Sequence, residues 1–333
     1  MNRVEIIAEV GSVHDGSLGN AGKLIEAAAQ AGADTVKFQT HIAEAETLAD
    51  APMPPYFKGE PRLDYFRRTA FTPPQWRGLM FRCAERGVGF LSSPFSAQAL
   101  ELLEELGAER YKVPSGEVTN LPLIELIAQT GKPVLISSGM SDWAELDRAV
   151  ETVLRRHDRL VVMQCSSEYP CPYERVGLNV MLAMKERYGL PVGLSDHTLT
   201  SHACLAAVAL GAGVVEKHFT FSRLMYGSDA AHSLEPAEFA QLCQGVRAVE
   251  IMLASPVDKA DASRYTDMKR IFEKSLVSLA EIPAGARLTA ELVGVKKPGF
   301  GIPAARLGEV LGRRAARAVP ADRLLSEADI LWD

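Results

Sequence analysis

Residues 4–40 read VEIIAEVGSVHDGSLGNAGKLIEAAAQAGADTVKFQT, and this stretch sets the architecture. VEIIAEV (4–10) is apolar and β-branched, as a buried strand requires. NAGKLIEAAAQAG (20–32) repeats its apolar residues at helical spacing and ends in Gly32, a C-terminal cap. ADTVKFQT (33–40) is the next strand. A strand, a helix and a second strand in this order make a parallel crossover unit. The turn EVGSVHDGS lacks the GxGxxG spacing, which weighs against a dinucleotide fold.

The alternation then repeats. After a proline-rich loop (APMPPYFKGEP) come a helix from about Pro74, a strand at VGFLSS (88–93) and a helix at SAQALELLEELG (96–107). RYKVPS (110–115), PVLISS (133–138), RLVVMQCSS (159–167), PVGLSDH (191–197) and VVEKHF (214–219) are further strands. Helices are expected near 121–130, from Ser141, and near 177–188, 200–210 and 236–254. Eight such units in about 250 residues predict an α/β chain folded as a closed (β/α)8 TIM barrel. The expected domains are a barrel over 1–256, a polar linker over 257–274 and a small β-rich domain over 275–333, punctuated by IPAG, KPGFG and VPAD.

Composition bounds the function classes. Of 333 residues, 47% are hydrophobic and 23% charged, an ordinary globular balance. No apolar run approaches a membrane span, and the start reads as strand rather than signal peptide. A net charge of -6 argues against general nucleic-acid binding. The five cysteines are odd in number and form no CxxC, so reduced thiols in a cytoplasmic protein are expected.

In a barrel, chemistry gathers where strands end. Lys37 and Lys112 sit inside apolar strands, where a buried ammonium needs a negative partner. With hydroxyls from Ser93, Ser115, Ser137 and Ser195 they suggest a phosphate pocket. The plain alternative for either lysine is an outward, snorkelling side chain, and the rival chemistry is a Schiff base. His197 and His218 end adjacent strands, about 4.8 Å apart, and two imidazoles suit one manganese, cobalt or zinc ion. Each alone also fits an ordinary hydrogen-bonded packing residue. Glu216 points the same way as His218. Glu117, directly after the Lys112 strand, is the candidate general base, against a solvated surface role. Glu9 and Asp229 sit near loop mouths, and Asp229 suits sugar hydroxyls or a simple turn. Tyr169 either walls the pocket or packs a turn. His14 and Asp15 form an ordinary HDG turn unless they reach the site. Trp76, Trp143 and Trp332 read as packing residues, and Cys165 has no partner base.

In this order and spacing, IIAEVGSVHDGSL, ADTVKFQTH, FLSSPF, YKVPSGE, LISSGM, QCSSEYPCPYE, GLSDHT and VEKHFT resemble the bacterial sialic acid synthase family. The KKPGFG segment is similar to that family's antifreeze-like (SAF) domain. The resemblance implies an enzyme, a transferase that condenses phosphoenolpyruvate with N-acetylmannosamine or a related hexose. The products are a 3-deoxy-2-keto-nonulosonic acid and phosphate. It implies phosphoenolpyruvate at Lys37, Ser93, Lys112, Ser115, Ser137 and Ser195, and a divalent metal, manganese first and magnesium or cobalt next, at His197 and His218. It places Gln39, Ser167, Tyr169 and Asp229 toward the sugar or the metal's water, Glu9 there as a catalytic group beside His197 and His218, and Glu117 in proton transfer. It also implies a cytoplasmic homodimer whose SAF domain covers the partner's active site, with neither nucleic acid nor membrane as partner.

Departures bear on the acceptor. Lys297-Pro298-Gly299, followed by Phe300, stands where the family usually has Arg-Pro-Gly. A lysine lacks the planar bidentate fork of arginine, so a sugar other than plain N-acetylmannosamine is expected, including a non-N-acetylated or phosphorylated aldose. The competing functions are a Schiff-base lysine aldolase, a synthase of a shorter ulosonate, and a non-enzymatic carbohydrate-binding protein.

Overall fold

Eight parallel strands close on themselves in chain order: β1 (Glu5–Gly11), β2 (Thr35–Thr40), β3 (Gly89–Pro94), β4 (Tyr111–Val113), β5 (Val134–Ser137), β6 (Leu160–Cys165), β7 (Val192–Asp196) and β8 (Val214–His218). β8 pairs back with β1, Glu9 beside His218, which removes every free edge. The computed structural model describes residues 3–52 and 59–332. Most of the proline-rich loop read at 51–61, namely 53–58, lies outside the described residues. The chain divides into two compact units, Met1–Ser255 and Pro256–Asp333.

The first helix, Leu18–Ala31, shows how local sequence fixes an element. Ser17 caps it by accepting from the Asn20 amide at 3.2 Å, and Gly32 ends it at φ 97°. Ala21, Leu24, Ile25 and Ala28 form its buried face, the spacing that the sequence predicts. The helix expected to open at Ser141 instead spans Trp143–Leu154. Asp142 caps it, accepting from the Glu145 amide at 2.9 Å while Glu145 reaches back to the Asp142 amide. The loop after β2 also holds helices at Ala43–Glu46 and Arg62–Thr69. Trp76 is buried, whereas Trp143 is 39% exposed, with the Arg187 guanidinium 5.1 Å from its ring.

The barrel interior is filled from below. Ile7, Leu91, Leu135, Met163 and Val214 form one buried cluster contributed by five strands. Side chains alternate across a strand, so the residue two positions later points inward one layer higher. Ile7 is thus followed by Glu9, Leu91 by Ser93, Leu135 by Ser137, Met163 by Cys165 and Val214 by Glu216. An apolar floor therefore carries a polar layer at the C-terminal end of the strands. Two larger apolar clusters lie outside the strands, against the helices.

In the second unit, β9 (Ser275–Ser278) pairs antiparallel with β10 (Val293–Lys296), and β11 (Arg314–Ala315) with β12 (Ile330–Leu331). Leu276, Ile282, Leu288, Val293, Ile302 and Val310 are part of its own core. The stretch 257–274, read as linker, belongs to this unit and carries a helix at Thr266–Phe272. Trp332 packs at the edge of that core, between the Arg306 and Arg313 guanidinium groups.

Candidate active site

The strand ends open into a cavity of about 400 Å³. Glu9, Lys37, Gln39, Lys112, Ser115, Ser137, Cys165, Ser167, Tyr169, Ser195, His197, Glu216 and His218 line it together with Arg62, Phe95 and Met140. All of these residues belong to the first unit.

The lysines are not free cations. Lys37 Nζ lies 2.8 Å from Glu9 Oε1 and 3.2 Å from Glu216 Oε1. Lys112 Nζ stands 3.3 Å from both Glu216 oxygens, and Ser195 Oγ donates to Oε1 at 3.4 Å. Burial works against the charge on Lys37, but Glu216 and Glu9 outweigh it and raise its proton affinity. On Lys112 burial wins, with help from Lys37, and its affinity is lowered. Burial would protonate Glu216, yet Lys112 and Lys37 hold its carboxyl down at about 2. The expected anion pocket is therefore a charge-matched cradle. Glu9, expected toward the sugar, is here a partner of Lys37 and of Gln39, whose Nε2 donates to it at 2.8 Å. Glu9 Oε2 is buried without a hydrogen-bond partner.

Hydroxyls crowd one backbone position. A Cβ built on Gly139 would sit 2.6 Å from the Ser115 hydroxyl and closer still to that of Ser167, so any larger residue there would displace both hydroxyls. Ser137 Oγ is buried and without a hydrogen-bond partner. Ser93 Oγ is likewise buried and unpartnered, but Ser93 is not among the cavity-lining residues. Such unpaired buried groups ask for a ligand.

The two histidines meet as expected, with ring centroids 5.3 Å apart. His197 Nδ1 lies 2.7 Å from the Ser166 carbonyl, to which it donates, leaving Nε2 with its lone pair. His218 Nδ1 is buried without a hydrogen-bond partner. Burial, then His218, pushes His197 down to about 3, so it stays a neutral imidazole at neutral pH. Tyr169 stacks on His197 at 4.1 Å. These two nitrogen donors fit a divalent ion. Among the described residues no third His, Cys, Asp or Glu joins them as a metal-holding group, so other positions would fall to water or substrate oxygens. Behind the pair, Lys217 Nζ bonds Asp196 Oδ2 at 2.7 Å and ties the two strands together.

A smaller compartment of about 170 Å³ adjoins the cavity and shares Gln39, Arg62, Phe95, Tyr169 and His218 with it. Asp229 lines this compartment, not the main cavity. Gly11, at φ 52°, makes room for it, since a Cβ there would sit 2.6 Å from Asp229 Oδ2. His41 sits between the Phe66 and Phe95 rings, at 3.9 and 4.3 Å. Its Nδ1 is 2.7 Å from Glu46 and its Nε2 3.1 Å from Gln39 Oε1, which fixes the Gln39 amide. Sequence reasoning missed His41, Glu46 and Arg62. His14 is buried near this compartment but does not line it. Its Nδ1 accepts from the Gly16 amide at 3.1 Å, and burial pushes it down to about 4.

Glu117 does not line the cavity. The strand stops at Val113, and Ser115–Glu117 winds as a 3-10 turn, so the two-residue alternation that aims Ser115 inward does not carry on to Glu117. Its carboxylate accepts from Asn120 at 2.8 Å, and burial raises its proton affinity. Lys297 lies in the second unit, exposed, with Nζ 4.9 Å from the centre of the Phe272 ring.

A TIM barrel with a charge-matched polar layer and a pair of metal-competent histidines at its strand ends defines the class. The chain matches the NeuB family over residues 24–258 and a SAF domain over residues 273–331. It belongs to the NeuB family. The N,N'-diacetyllegionaminic acid synthase of Campylobacter jejuni is 36% identical, covering 98% of this chain and 100% of that protein. The human N-acetylneuraminate-9-phosphate synthase is 33% identical, covering 97% and 91%. Among solved structures, the N-acetylneuraminic acid synthetase of Leptospira borgpetersenii, in complex with citrate, aligns with a TM-score of 0.71 at 30% identity. That alignment covers 80% of this chain and 91% of that one. No helix among the described residues is long and apolar enough to cross a membrane.

Proposed function

We propose that this chain is a metal-dependent transferase that joins phosphoenolpyruvate to an aldose, giving a 3-deoxy-2-keto-nonulosonic acid and phosphate. The observation that carries this reading is the meeting of Lys37, Lys112, the serine hydroxyls and both histidines around one cavity.

In this reading Lys37 and Lys112 hold the donor's anionic groups, with Ser115, Ser137 and Ser195 donating to its oxygens, while Ser93, outside the cavity lining, does not reach them. Ser167, beside Gly139, faces the sugar. Gln39, Tyr169 and Asp229 hold the sugar. His197 and His218 would hold the divalent ion, manganese first, which when bound supplies a Lewis acid for the aldehyde oxygen. The donor's methylene carbon attacks the aldehyde carbon, and the aldehyde oxygen takes up one of the two protons that the added water releases, the other leaving with the phosphate. Water adds to the former enol carbon, and the bond from that carbon to the phosphate oxygen breaks. Glu117, two residues past the cavity-lining Ser115 and outside the lining itself, would turn in to take the water's proton, and burial raises its proton affinity. Glu9 Oε2, inside the cavity, is the competing base. A homodimer whose SAF domain covers the partner's site would bring Lys297 to the sugar in place of the usual arginine. The relatives named above make different products at 36% and 33% identity, so overall likeness does not select the acceptor. Lys297 favours a sugar other than plain N-acetylmannosamine. Five buried free thiols fit a reducing, cytoplasmic setting.

Phosphate release from phosphoenolpyruvate across a panel of hexoses, N-acyl hexosamines and hexose phosphates, with and without manganese, tests the proposal. Release should need both an aldose and the metal, with product mass equal to the sugar plus one pyruvic acid. Borohydride trapping of a pyruvate imine would point to an aldolase instead.

A further inference from the structure

Five charged side chains line the main cavity: Glu9, Lys37, Arg62, Lys112 and Glu216. Both carboxylates are committed to the two lysines. Arg62 is the cation left over. Among the described residues no carboxylate forms an ion pair with it, Glu117 feels its charge only at longer range, and its Nε is buried without a hydrogen-bond partner. The guanidinium is nevertheless held in place, with its central carbon 5.4 Å from the centre of the Phe66 ring one helical turn on. Arg62 lines the main cavity and the smaller compartment alike, so it stands at their junction.

A paired lysine attracts an incoming anion less than a free one, because its field is largely cancelled by its carboxylate. Phosphoenolpyruvate brings roughly three negative charges at neutral pH, from a phosphate and a carboxylate. The lysine cradle alone is neutral in sum and cannot balance them. Arg62 supplies the missing fixed positive charge, in a fork that matches either anionic group. The smaller compartment already contains Asp229, which disfavours an anion seated wholly within it.

We propose that Arg62 is a substrate-binding residue that pairs with an anionic group of phosphoenolpyruvate where the two compartments meet, an inference that rests on the function proposed above. Titration calorimetry of phosphoenolpyruvate into the manganese-loaded full chain tests it, and needs no knowledge of the acceptor. Arg62→Met should weaken binding about 10- to 100-fold and Arg62→Lys by less, since the charge stays and the fork is lost. Thermal midpoints near the wild-type value for both variants establish that the fold is kept. In turnover, the KM for phosphoenolpyruvate should rise far more than that for a neutral aldose. Unchanged affinity in Arg62→Met, or a rise confined to the aldose KM, overturns the inference while the proposed function stands. A wild-type chain that does not bind phosphoenolpyruvate overturns both.

Discussion

The cradle and the rim of this site are built on different terms. In the cradle, charges stand on strands, are buried and are paired: Lys37 with Glu9 and Glu216, Lys112 with Glu216. At the rim, Arg62, Glu117 and Asp229 stand on loops or helix starts, are partly open to solvent, and have no ion pair among the described residues. A buried charge must meet its opposite when the chain folds, because leaving it alone costs several kcal/mol. A half-open charge can wait for a ligand. The cradle should therefore couple function to stability, and the rim should affect function alone.

Lys37→Met is the sharpest way to break that contrast. It strands Glu9 and shifts the balance on Glu216, so unfolding stability should fall by roughly 3–5 kcal/mol along with loss of turnover. A variant as stable as the wild type would show that pairing does not hold the cradle. Glu117→Gln is the counterpart at the rim. Chemical denaturation should change by about 0.5 kcal/mol or less, while kcat falls by roughly 100-fold or more if Glu117 carries the proton. Should Glu9→Gln, chosen to keep the hydrogen bond from Gln39 in play, lose turnover while Glu117→Gln keeps it, the base belongs to the cradle.

The smallest expected effect concerns His14, buried near the smaller compartment on the side of His41 and Asp229. Its pKa is lowered from 6.5 to about 4, so the unfolded chain binds a proton that the folded chain refuses. Stability from this group is full above about 6.5 and is lost as pH falls toward 4. In His14→Asn the acid-side loss should be smaller, by on the order of 2 kcal/mol near the low end of that window. Identical pH slopes for the two proteins would show that His14 does not contribute to them.

The same contrast explains what could be read from the sequence. Strand side chains obey a two-residue rhythm, so Lys37, Ser137, Ser195, Glu216 and His218 announce their direction as soon as the strands are recognised. The capped, periodic helix at Leu18–Ala31 was equally legible. Loops have no such rhythm. Glu117 follows the Lys112 strand closely in sequence, yet a 3-10 turn takes it out of the cavity lining. Arg62 follows a proline-rich stretch whose pattern gives no direction, and only the helix at Arg62–Thr69 places it. The pairing of Lys37 with Glu9 is also invisible in one dimension, because it depends on β1 and β2 lying side by side with Glu9 in register with Lys37.

The fate of one oxygen atom tests the central claim most directly. Phosphoenolpyruvate carrying heavy oxygen between its enol carbon and phosphorus would be turned over with manganese and an accepted aldose, and the released phosphate examined by phosphorus NMR. Coupling of the donor's carbon to the sugar, followed by loss of phosphate from that carbon, predicts that the label leaves with the phosphate. Unlabelled phosphate would mean that the phosphorus–oxygen bond breaks instead, and the chemistry assigned to this cavity would be wrong.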